Sequence, residues 1–490
     1  MFSNPQGDPQ GIEKALRDAG VVLAREERVE RTWLDTFDLR LTGDGMRLET
    51  TQGRSLTTAL FQADNPPAFI SGGDAPRFAA DLAPGPFRER LVRSAGVRAF
   101  LPQATLRATA RVGDLRNADD KLIARVTVYQ RVVLDNTSLG WAVEVDELVG
   151  YDSANTTIAR LLRGLGLRAT EGDLFDLAVA ENLIKLADHS ARPVARFDSS
   201  ERALHGYRRV LARLFETIEV NWDGAARDVD PEFLHDLRVA LRRTRTVLAN
   251  AKGVINESER EHFLTEFHHL ASVTGAPRDL DVAALAWRAI VHRVGGLHPP
   301  DVAPVEAALA DRRARAHRKL TRDLSSRRTT KLLRDWDRWL SEETTTDLVR
   351  AGLPLRSVVS RRLERLRARL RDDARDVTAE GRHTTRKDAK QLRYMVECFG
   401  GVYDVARRKA FVGELAAFQD RLGNAQDARV QAALVRDLLR AGSYAPDTLV
   451  AAGRLTEAIE ARARVEGPKD LRLFTKKVDR GFHALIESHR

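Results

Sequence analysis

Two segments of this chain carry regularly spaced basic residues whose chemistry suits an anionic ligand. The first begins at His235 and the second at His383, 148 positions later, and the two segments align without a gap. In both, a cation follows the histidine at three, seven and ten positions. The first set is His235, Arg238, Arg242 and Arg245, and the second is His383, Arg386, Lys390 and Arg393. At about 100° per residue, each set forms a stripe about 80° wide on one side of a helix.

The spacing of these cations costs helix stability unless an anion lies on the stripe. Like charges three or four residues apart on a helix repel each other by a few tenths of a kcal/mol. A single arginine-rich helix face is most often a solvated surface. The repetition of the pattern at a fixed offset favours a binding function over that alternative. Lys387 and Tyr394 flank the second stripe, and Arg243 adds to the first a cation whose equivalent is Gln391.

His235 and His383 open the two stripes. A lone histidine on a helix is more often packed or solvated than part of a binding site. Their equivalence across the repeat favours contact with the anion or a role in positioning the helix. If they contact the anion, binding should strengthen as the imidazoles gain a proton in mildly acidic solution.

The positive charge of the chain is concentrated where the stripes lie. Residues 1–200 contain 25 Lys and Arg against 28 Asp and Glu, whereas residues 201–490 contain 55 against 42. Eleven of the twelve histidines also fall in the second part. Such an excess of positive charge favours a polyanionic partner, which could be nucleic acid, an acidic membrane surface or a phosphate polymer.

Three general features of the sequence limit what kind of protein this is: its length, its cysteine content and its apolar runs. A chain of 490 residues predicts two to four domains. Cys398 is the single cysteine, so no intramolecular disulfide and no cysteine-built metal site is expected. The chain opens with no basic and apolar leader and contains no run of about 18 apolar residues. We therefore expect a soluble cytoplasmic protein without a membrane partner.

Two kinds of sequence divide the chain. Up to about residue 190, short segments rich in Val, Thr, Trp and Leu alternate with Gly, Asp and Asn turns, which predicts an antiparallel β-domain. Within this part, residues 62–87 are typical of a loop, residues 154–190 are helical, and residues 192–200 are the expected linker. Helical periodicity dominates afterwards. Because a repeat of 148 residues accommodates about four helices, we predict two tandem four-helix bundles, about 201–345 and about 350–490.

Recognisable catalytic motifs are missing from the basic part of the chain. It contains no GxxxxGK[ST] phosphate loop, no GxSxG nucleophile elbow and no HExxH metal motif. Asp279, Asp281 and Asp427 follow a glycine at a place where a helix could begin. We interpret them as helix-capping residues and partners of arginine. Metal ligation together with a histidine is the alternative.

These motifs resemble those of the CHAD family, the conserved-histidine α-helical domain. The resemblance rests on HxxRVxxRRxR at 235–245, its echo RKxxKxLRY at 386–394, and GxxRDxDV at 275–282. It covers roughly residues 200–490. It implies two four-helix bundles related by a pseudo-twofold axis, with a basic groove between them that binds inorganic polyphosphate. It also implies an association with cytoplasmic polyphosphate granules.

Residues 1–190 resemble a degenerate CYTH domain, the β-barrel of the triphosphate tunnel enzymes. WLDTFDLRL at 33–41, GMRLE at 45–49 and WAVEVDEL at 141–148 carry this likeness. The metal-binding ExExK segment that the resemblance places several tens of residues earlier is absent. Glu144 and Asp146 keep the chemistry to bind Mg²⁺. A tunnel without its first acidic strand and its lysine lacks most of the charge that two-metal phosphoryl chemistry needs, so we expect no triphosphatase activity.

The sequence therefore predicts an α+β multidomain protein, with a β-barrel-like domain at 1–190 and an all-α domain at 201–490. The expected function is binding of inorganic polyphosphate without catalysis, with no cofactor, no catalytic residue and no metal site. The expected binding residues are His235, Arg238, Arg242, Arg243, Arg245, His383, Arg386, Lys387, Lys390, Arg393 and Tyr394. A nucleic-acid-binding protein is one alternative, which the scarcity of aromatic residues beside the stripes disfavours. A triphosphatase in the N-terminal domain is the other, and the oligomeric state stays open.

Overall fold

The computed structural model describes the chain apart from residues 4–8, 63–64, 147, 149, 171, 181–183, 185–196, 199, 343–346, 377, 465–468 and 487–490. It divides into two compact units, Met1–Ser190 and Ala191–Arg490. Within the described ranges, no helix is both long and apolar enough to cross a membrane.

The first unit is built on one antiparallel sheet, as the alternating strand and turn signals predict. Its strands are β1 (Phe2–Ser3), β2 (Val22–Leu23), β3 (Glu27–Asp35), β4 (Met46–Gln52), β5 (Leu56–Gln62), β6 (Asn65–Ser71), β7 (Leu101–Arg116), β8 (Leu122–Leu134), β9 (Thr137–Asp146) and β10 (Arg168–Ala169). They lie in the order β10, β1, β9, β8, β7, β3, β4, β5, β6, and β2 pairs with β7 outside that order. This strand-rich unit fits the expected tunnel-type domain.

Helices cover both faces of the sheet. They are α1 (Pro9–Asp18), α2 (Arg40–Gly43), α3 (Pro86–Ala95), α4 (Asp152–Gly164) and α5 (Leu174–Ala180). Trp141 and Val143 pack in one core with α1 and α4. Ala142, the residue between them, packs in another core with α5. Successive side chains of a strand point to opposite faces, so the apolar side chains of β9 pack alternately into two cores, one on each face of the sheet.

The stretch 62–87 is not the loop that its Pro and Gly content predicts, because it contains β6 and the beginning of α3. β6 is the last strand in the sheet order and pairs only with β5 among the described strands. Proline is tolerated on such an edge strand because its missing N–H faces no partner strand. Of the expected helical stretch 154–190 and the expected linker, residues 181–183, 185–196 and 199 lie outside the described residues.

The second unit is helical throughout its described elements. Its helices are α6 (Ala203–Ala226), α7 (Pro231–Ala249), α8 (Glu257–Val273), α9 (Gly275–Val294), α10 (Pro299–Leu324), α11 (Arg327–Ser341), α12 (Leu355–Asp373), α13 (Ala379–Phe399), α14 (Val405–Ala441), α15 (Pro446–Arg464) and α16 (Lys469–Ile486). At the offset of 148 positions, α6 corresponds to α12, α7 to α13, α10 to α15 and α11 to α16. Among the described residues the first copy has six helices and the second has five, where the repeat length alone predicts about four.

The difference in helix number between the copies has a local cause. The single helix α14 spans the positions that α8 and α9 occupy in the first copy. Pro277 lies just inside α9, and its equivalent is Ala425. Proline lacks an N–H group and clashes with the carbonyl four residues earlier, so the first copy starts a new helix where the second continues.

The two copies share part of their core. Trp287 of α9 and Leu309 of α10 pack in one apolar cluster with Val435 of α14 and Leu455 of α15. Two helices of each copy therefore bury their apolar faces together. The repeats are joined by tertiary packing as well as by the chain.

Candidate functional site

The first stripe lies on α7, and the sequence explains why this helix begins where it does. The carboxylate of Asp230 accepts hydrogen bonds from the backbone N–H groups of Glu232 and Phe233 at 2.9 and 3.2 Å. Pro231 occupies the first helical position, where no N–H is needed. Leu237 and Leu241 are buried on the apolar side, which leaves the cationic side turned away from that core.

The second stripe lies on α13, which uses the same kind of start. The hydroxyl of Thr378 accepts a hydrogen bond from the N–H of Gly381 at 3.0 Å. Leu392 and Met395 are fully buried. Both stripes therefore lie on helices whose opposite faces are fixed in a core, as the spacing predicts.

The two helices bring cations of both copies to one cavity of about 480 Å³. Arg242 and Arg245 of α7 line it together with residues of α13. The lining residues of α13 are His383, Arg386, Lys387, Lys390, Gln391 and Tyr394. Thr246, Ala249 and Leu264 complete the wall. No carboxylate is among these lining residues, so the cavity has the charge of an anion site.

A second cavity of about 150 Å³ adjoins the first, because Arg242 and Arg245 line both. Arg238 lines only the second, where its Nη1 donates to Thr274 Oγ1 at 2.7 Å and to the carbonyl oxygen of Ala271 at 3.3 Å. Burial and the charge of Arg242 lower the pKa of Arg238 to about 10. The same two causes lower the pKa of Arg245. The stripe is thus a set of mutually repelling charges.

Several basic side chains of the larger cavity have no partner among the residues that the structure describes. The side chains of Arg242, Lys387 and His383 form no hydrogen bond or ion pair with any residue in the described part of the chain. Among the described residues, the guanidinium of Arg245 has one polar contact, between its Nη2 and the Nδ1 atom of His268 at 2.8 Å. These groups are available to a ligand.

Three predicted site residues lie elsewhere. Arg243 and Arg393 both pair with Glu397, at 2.6 and 3.3 Å, and neither lines the two cavities. His235 also lines neither cavity. The helical pitch explains the case of Arg243, because it follows Arg242 by about 100° and so leaves the stripe.

Tyr394 is buried, and its ring lies 5.8 Å from Cζ of Arg243 and 5.6 Å from Cζ of Arg393. It lines the larger cavity, and both guanidinium groups lie close to its ring.

The structure adds residues that the stripes do not contain. Thr246 and Gln391 lie four residues after Arg242 and Lys387 on the same helices, so helical spacing could have identified them. His268, Ser272 and Thr274 line the smaller cavity from α8 and its end. Nothing in the repeat pattern identifies these three, because only the packing of α8 on α7 brings them to the stripe.

The aspartates after Gly275 do not begin a helix, because α9 starts at the glycine itself and Thr274 precedes it. The buried carboxylate of Asp281 pairs with Arg313 at 2.7 Å and with His317 at 2.9 Å. Arg313 also pairs with Asp228 at 2.6 Å. The ligand atoms of Asp228, Asp281 and His317 lie within 4.8 Å of one another, but the guanidinium of Arg313 already binds both carboxylates. The expected pairing with arginine is therefore present, and the side chain of Asp427 lies outside the described residues.

In the first unit, two carboxylates with Mg²⁺-binding chemistry, Glu144 and Glu49, already have partners, whereas the side chain of Asp146 forms no ion pair with any described residue. Glu144 accepts hydrogen bonds from Arg31 Nη1 and from the hydroxyl of Tyr129, both at 2.9 Å. Glu49 pairs with Arg31 at 2.9 Å and with Arg47 at 2.7 Å. Burial raises the pKa of Glu49 despite these arginines. Glu49 and Glu144 are thus both engaged by arginine.

Comparison with known proteins identifies the helical part. Residues 209–436 match the family model of the CHAD domain. The crystal structure of the CHAD domain from the plant Ricinus communis is 22% identical and covers 60% of this chain and 97% of that chain, with a TM-score of 0.48. PptA from Streptomyces chartreusis is 17% identical and covers 57% of this chain and 100% of that chain, with a TM-score of 0.43.

A third solved structure, the PH1819 protein from Pyrococcus horikoshii OT3, is 13% identical and covers 37% of this chain and 96% of that chain, with a TM-score of 0.25. No curated protein sequence matches the chain. At these identities and TM-scores the three structures are similarities only, so the assignment rests on the family model. Residues 209–436 of this protein therefore form a CHAD domain.

Proposed function

We propose that the helical unit binds inorganic polyphosphate, without catalysis, in the cavity between α7 and α13. One observation carries the proposal. Cations of both copies line a single cavity, and no carboxylate is among the residues that line it. A linear polyanion complements such a wall, because each of its units carries a charge.

The magnitudes favour a polymer over a single phosphate. Five Lys and Arg side chains line the cavity, and exposed ion pairs contribute about 0.2–1 kcal/mol each. A total of roughly 1–5 kcal/mol is weak for a small ligand. A polymer touches all five cations and also releases its condensed counterions on binding, as nucleic acids do.

Nucleic acid is the second candidate ligand for the same charges. Proteins that bind single strands supply exposed aromatic rings on which the bases stack. Among the described residues that line the larger cavity, Tyr394 is the one Phe, Tyr or Trp, and it is buried beside two arginines. This arrangement favours a ligand without bases.

The proposal assigns no phosphoryl transfer to the first unit. Two-metal chemistry needs carboxylates that are free to bind cations. Glu49 and Glu144 instead pair with Arg31, and Glu49 also with Arg47. An arginine that neutralises a carboxylate competes with a metal ion for it. We therefore propose that this unit does not hydrolyse triphosphates.

The location proposed for the protein follows from its ligand. A binder of long polyphosphate would accumulate where the polymer is stored, at cytoplasmic polyphosphate granules. A fluorescent fusion should follow the granules in cells, and removal of the binding cations should disperse it.

Competition binding tests the proposed ligand directly. Long polyphosphate, single-stranded RNA and tripolyphosphate would compete for the full chain at one fixed salt concentration. We expect long polyphosphate to bind most tightly, and Arg242→Ala with Lys387→Ala to weaken it about tenfold.

The control is Arg318→Ala with Arg322→Ala, which removes the same charge from exposed positions of α10 that line neither cavity. The control should bind almost as the unaltered chain does. Equal losses of polyphosphate affinity in the two double variants would mean that net charge decides binding. Tighter binding of RNA than of polyphosphate would mean that the ligand is nucleic acid.

A further inference from the structure

A second group of cations lies just beyond the end of α7, and none of its members lines either cavity. Arg362 of α12 donates from Nη2 to the carbonyl oxygen of Lys252. Arg350 donates from Nη1 to the same oxygen at 3.4 Å. Arg365 follows Arg362 on α12 and donates from Nε to the carbonyl oxygen of Arg361 at 3.2 Å. Within the described residues, Lys252, Arg350, Arg362 and Arg365 form no ion pair.

Arg362 is the buried member of this group, with 8% of its surface exposed. Its Nε atom is buried without a hydrogen-bond partner, although a guanidinium has five N–H donors to satisfy. Burying a charge without a counterion is costly. Burial and the neighbouring charge of Arg365 both lower the pKa of Arg362. Among the described residues, no carboxylate forms an ion pair with this buried cation.

The duplication shows that the fold does not need a cation at this place. The residue 148 positions before Arg362 is Leu214, which is fully buried on α6. The residue equivalent to Arg365 is Thr217. The first copy therefore packs the same helix with an apolar and a small polar side chain. Arg362 and Arg365 thus have no cationic equivalent in the first copy, whereas the equivalent of Arg350 is Arg202.

Helix capping accounts for only part of the arrangement. Carbonyl groups at a helix C-terminus attract cations, and α7 ends at Ala249, shortly before Lys252. This attraction explains the hydrogen bonds of Arg350 and Arg362 to one carbonyl oxygen. It leaves Arg365 and the unpaired Nε of Arg362 without a role. Of the carboxylates on the first turns of α8, Glu257 and Glu261 pair with Arg260, and Glu259 interacts with Arg208.

The group also adjoins the cavity between α7 and α13. Arg369 lies one helical turn after Arg365 on α12, and its Nη2 donates to Oε1 of Gln391 at 2.8 Å. Gln391 lines that cavity. The cationic face of α12 is thereby connected to the cavity wall through one hydrogen bond.

We infer that Arg350, Arg362 and Arg365 form a second anion site whose ligand is a phosphate group. The phosphate belongs either to free inorganic phosphate or to a polyphosphate chain whose other units occupy the cavity, and this second source rests on the proposed function. The unpaired N–H groups of Arg362 would donate to phosphate oxygens. Arg350 and Arg365 would supply the remaining charge.

The test replaces the cations by the residues of the first copy. Arg362→Leu with Arg365→Thr would be compared with Arg371→Thr, which removes a charge from the opposite side of α12, about 180° from Arg362. Calorimetric titration with orthophosphate would use the full chain carrying Arg242→Ala and Lys387→Ala, so that the cavity contributes little. Titration with long polyphosphate would use an otherwise unaltered chain. Arg365→Thr alone, at an exposed position, serves if the double variant does not fold.

We expect the double variant to lose orthophosphate binding, or to bind long polyphosphate about tenfold more weakly, while Arg371→Thr changes neither. If only orthophosphate binding is lost, the ligand of the second site is free phosphate. If only polyphosphate binding is weakened, the ligand is a unit of the polyphosphate chain. Unchanged binding of both probes overturns the inference, as does a lower unfolding midpoint with unchanged binding, which would leave only the capping role. The orthophosphate titration stays informative if the chain binds no polyphosphate.

Discussion

Arg243 and Glu397 form an ion pair of 2.6 Å between the two copies, with Nη2 of the arginine on α7 and Oε2 of the glutamate on α13. Only 11% and 19% of these side chains are exposed. The positions equivalent to them across the repeat are Gln391 and Ala249. The pair therefore occurs once in the duplicated unit. It holds together the two helices whose cations line the larger cavity.

Arg243→Ala should destabilise the fold more than it weakens ligand binding. Burial by itself would lower the pKa of Arg243, yet Glu397 raises it, so the charged form is held by its partner. Loss of a partly buried hydrogen bond between charged groups costs about 2 kcal/mol. Urea unfolding should show this loss of stability. The polyphosphate affinity, measured where the variant is fully folded, should change little. The neighbouring Arg242→Ala is the control and should show the opposite behaviour.

The salt dependence of binding should report the number of cations that contact the ligand. Changing Arg238, Arg242, Arg386 and Lys390 together to Ala should lower polyphosphate affinity by orders of magnitude. The slope of log affinity against log salt should fall by about three to four, because each cation releases about one counterion. Circular dichroism should confirm that the helices remain. A folded quadruple variant with unchanged affinity and slope would show that these four cations do not belong to the site.

Chain length should control affinity from short lengths onward. Cations of both copies line the same cavity, so even tripolyphosphate should contact both. Affinity should rise steeply until the chain also reaches Arg238 in the smaller cavity, and more gently afterwards. Titration with polyphosphates of defined length measures this profile. Equal affinity per molecule for short and long chains would indicate a single local anion pocket.

Asp388 should make the stability of the helical unit depend on pH. Burial and a hydrogen bond with Asp373 raise its pKa to about 6 despite Arg369, against about 3.9 for an unfolded chain. The folded state thus binds the proton more tightly. This contribution stabilises the fold below about pH 4, and up to about 3 kcal/mol of it is lost as the pH rises to about 6.

Urea unfolding at pH 4.5 and pH 7 measures that loss as the difference between the unaltered chain and Asp388→Asn. Other carboxylates titrate in the same range and cancel in the comparison. An identical pH profile for the two proteins would show that Asp388 does not carry the effect.

The first unit should release no phosphate from ATP or tripolyphosphate in the presence of Mg²⁺ or Mn²⁺. Glu49 and Glu144 pair with Arg31, and Glu144 also accepts a hydrogen bond from the hydroxyl of Tyr129. A sensitive phosphate assay on the full chain tests this expectation. Hydrolysis that disappears in Glu144→Gln would reveal a working tunnel. Hydrolysis that persists in that variant would have to arise at another place.

The helical parts of the site could be predicted because they depend on local geometry. The intervals between His383, Arg386 and Lys390 place them on one side of a helix whatever its surroundings. Leu237 and Leu392 show in the same way which side is buried. The strand β6 was not predicted, because a proline such as Pro67 is found in strands mainly at the edge of a sheet. Which strand lies at the edge depends on how the whole sheet is assembled.

The sequence by itself determined the two stripes, their helices, the basic character of the second unit and its division into two copies. Local rules of spacing and charge need no knowledge of neighbouring elements. Only the tertiary structure decided which cations meet. It directs Arg243 to Glu397 in place of the ligand, brings His268 to Arg245, and buries Arg362 where the first copy has Leu214. Such encounters join residues far apart in the chain, so they depend on how the helices pack.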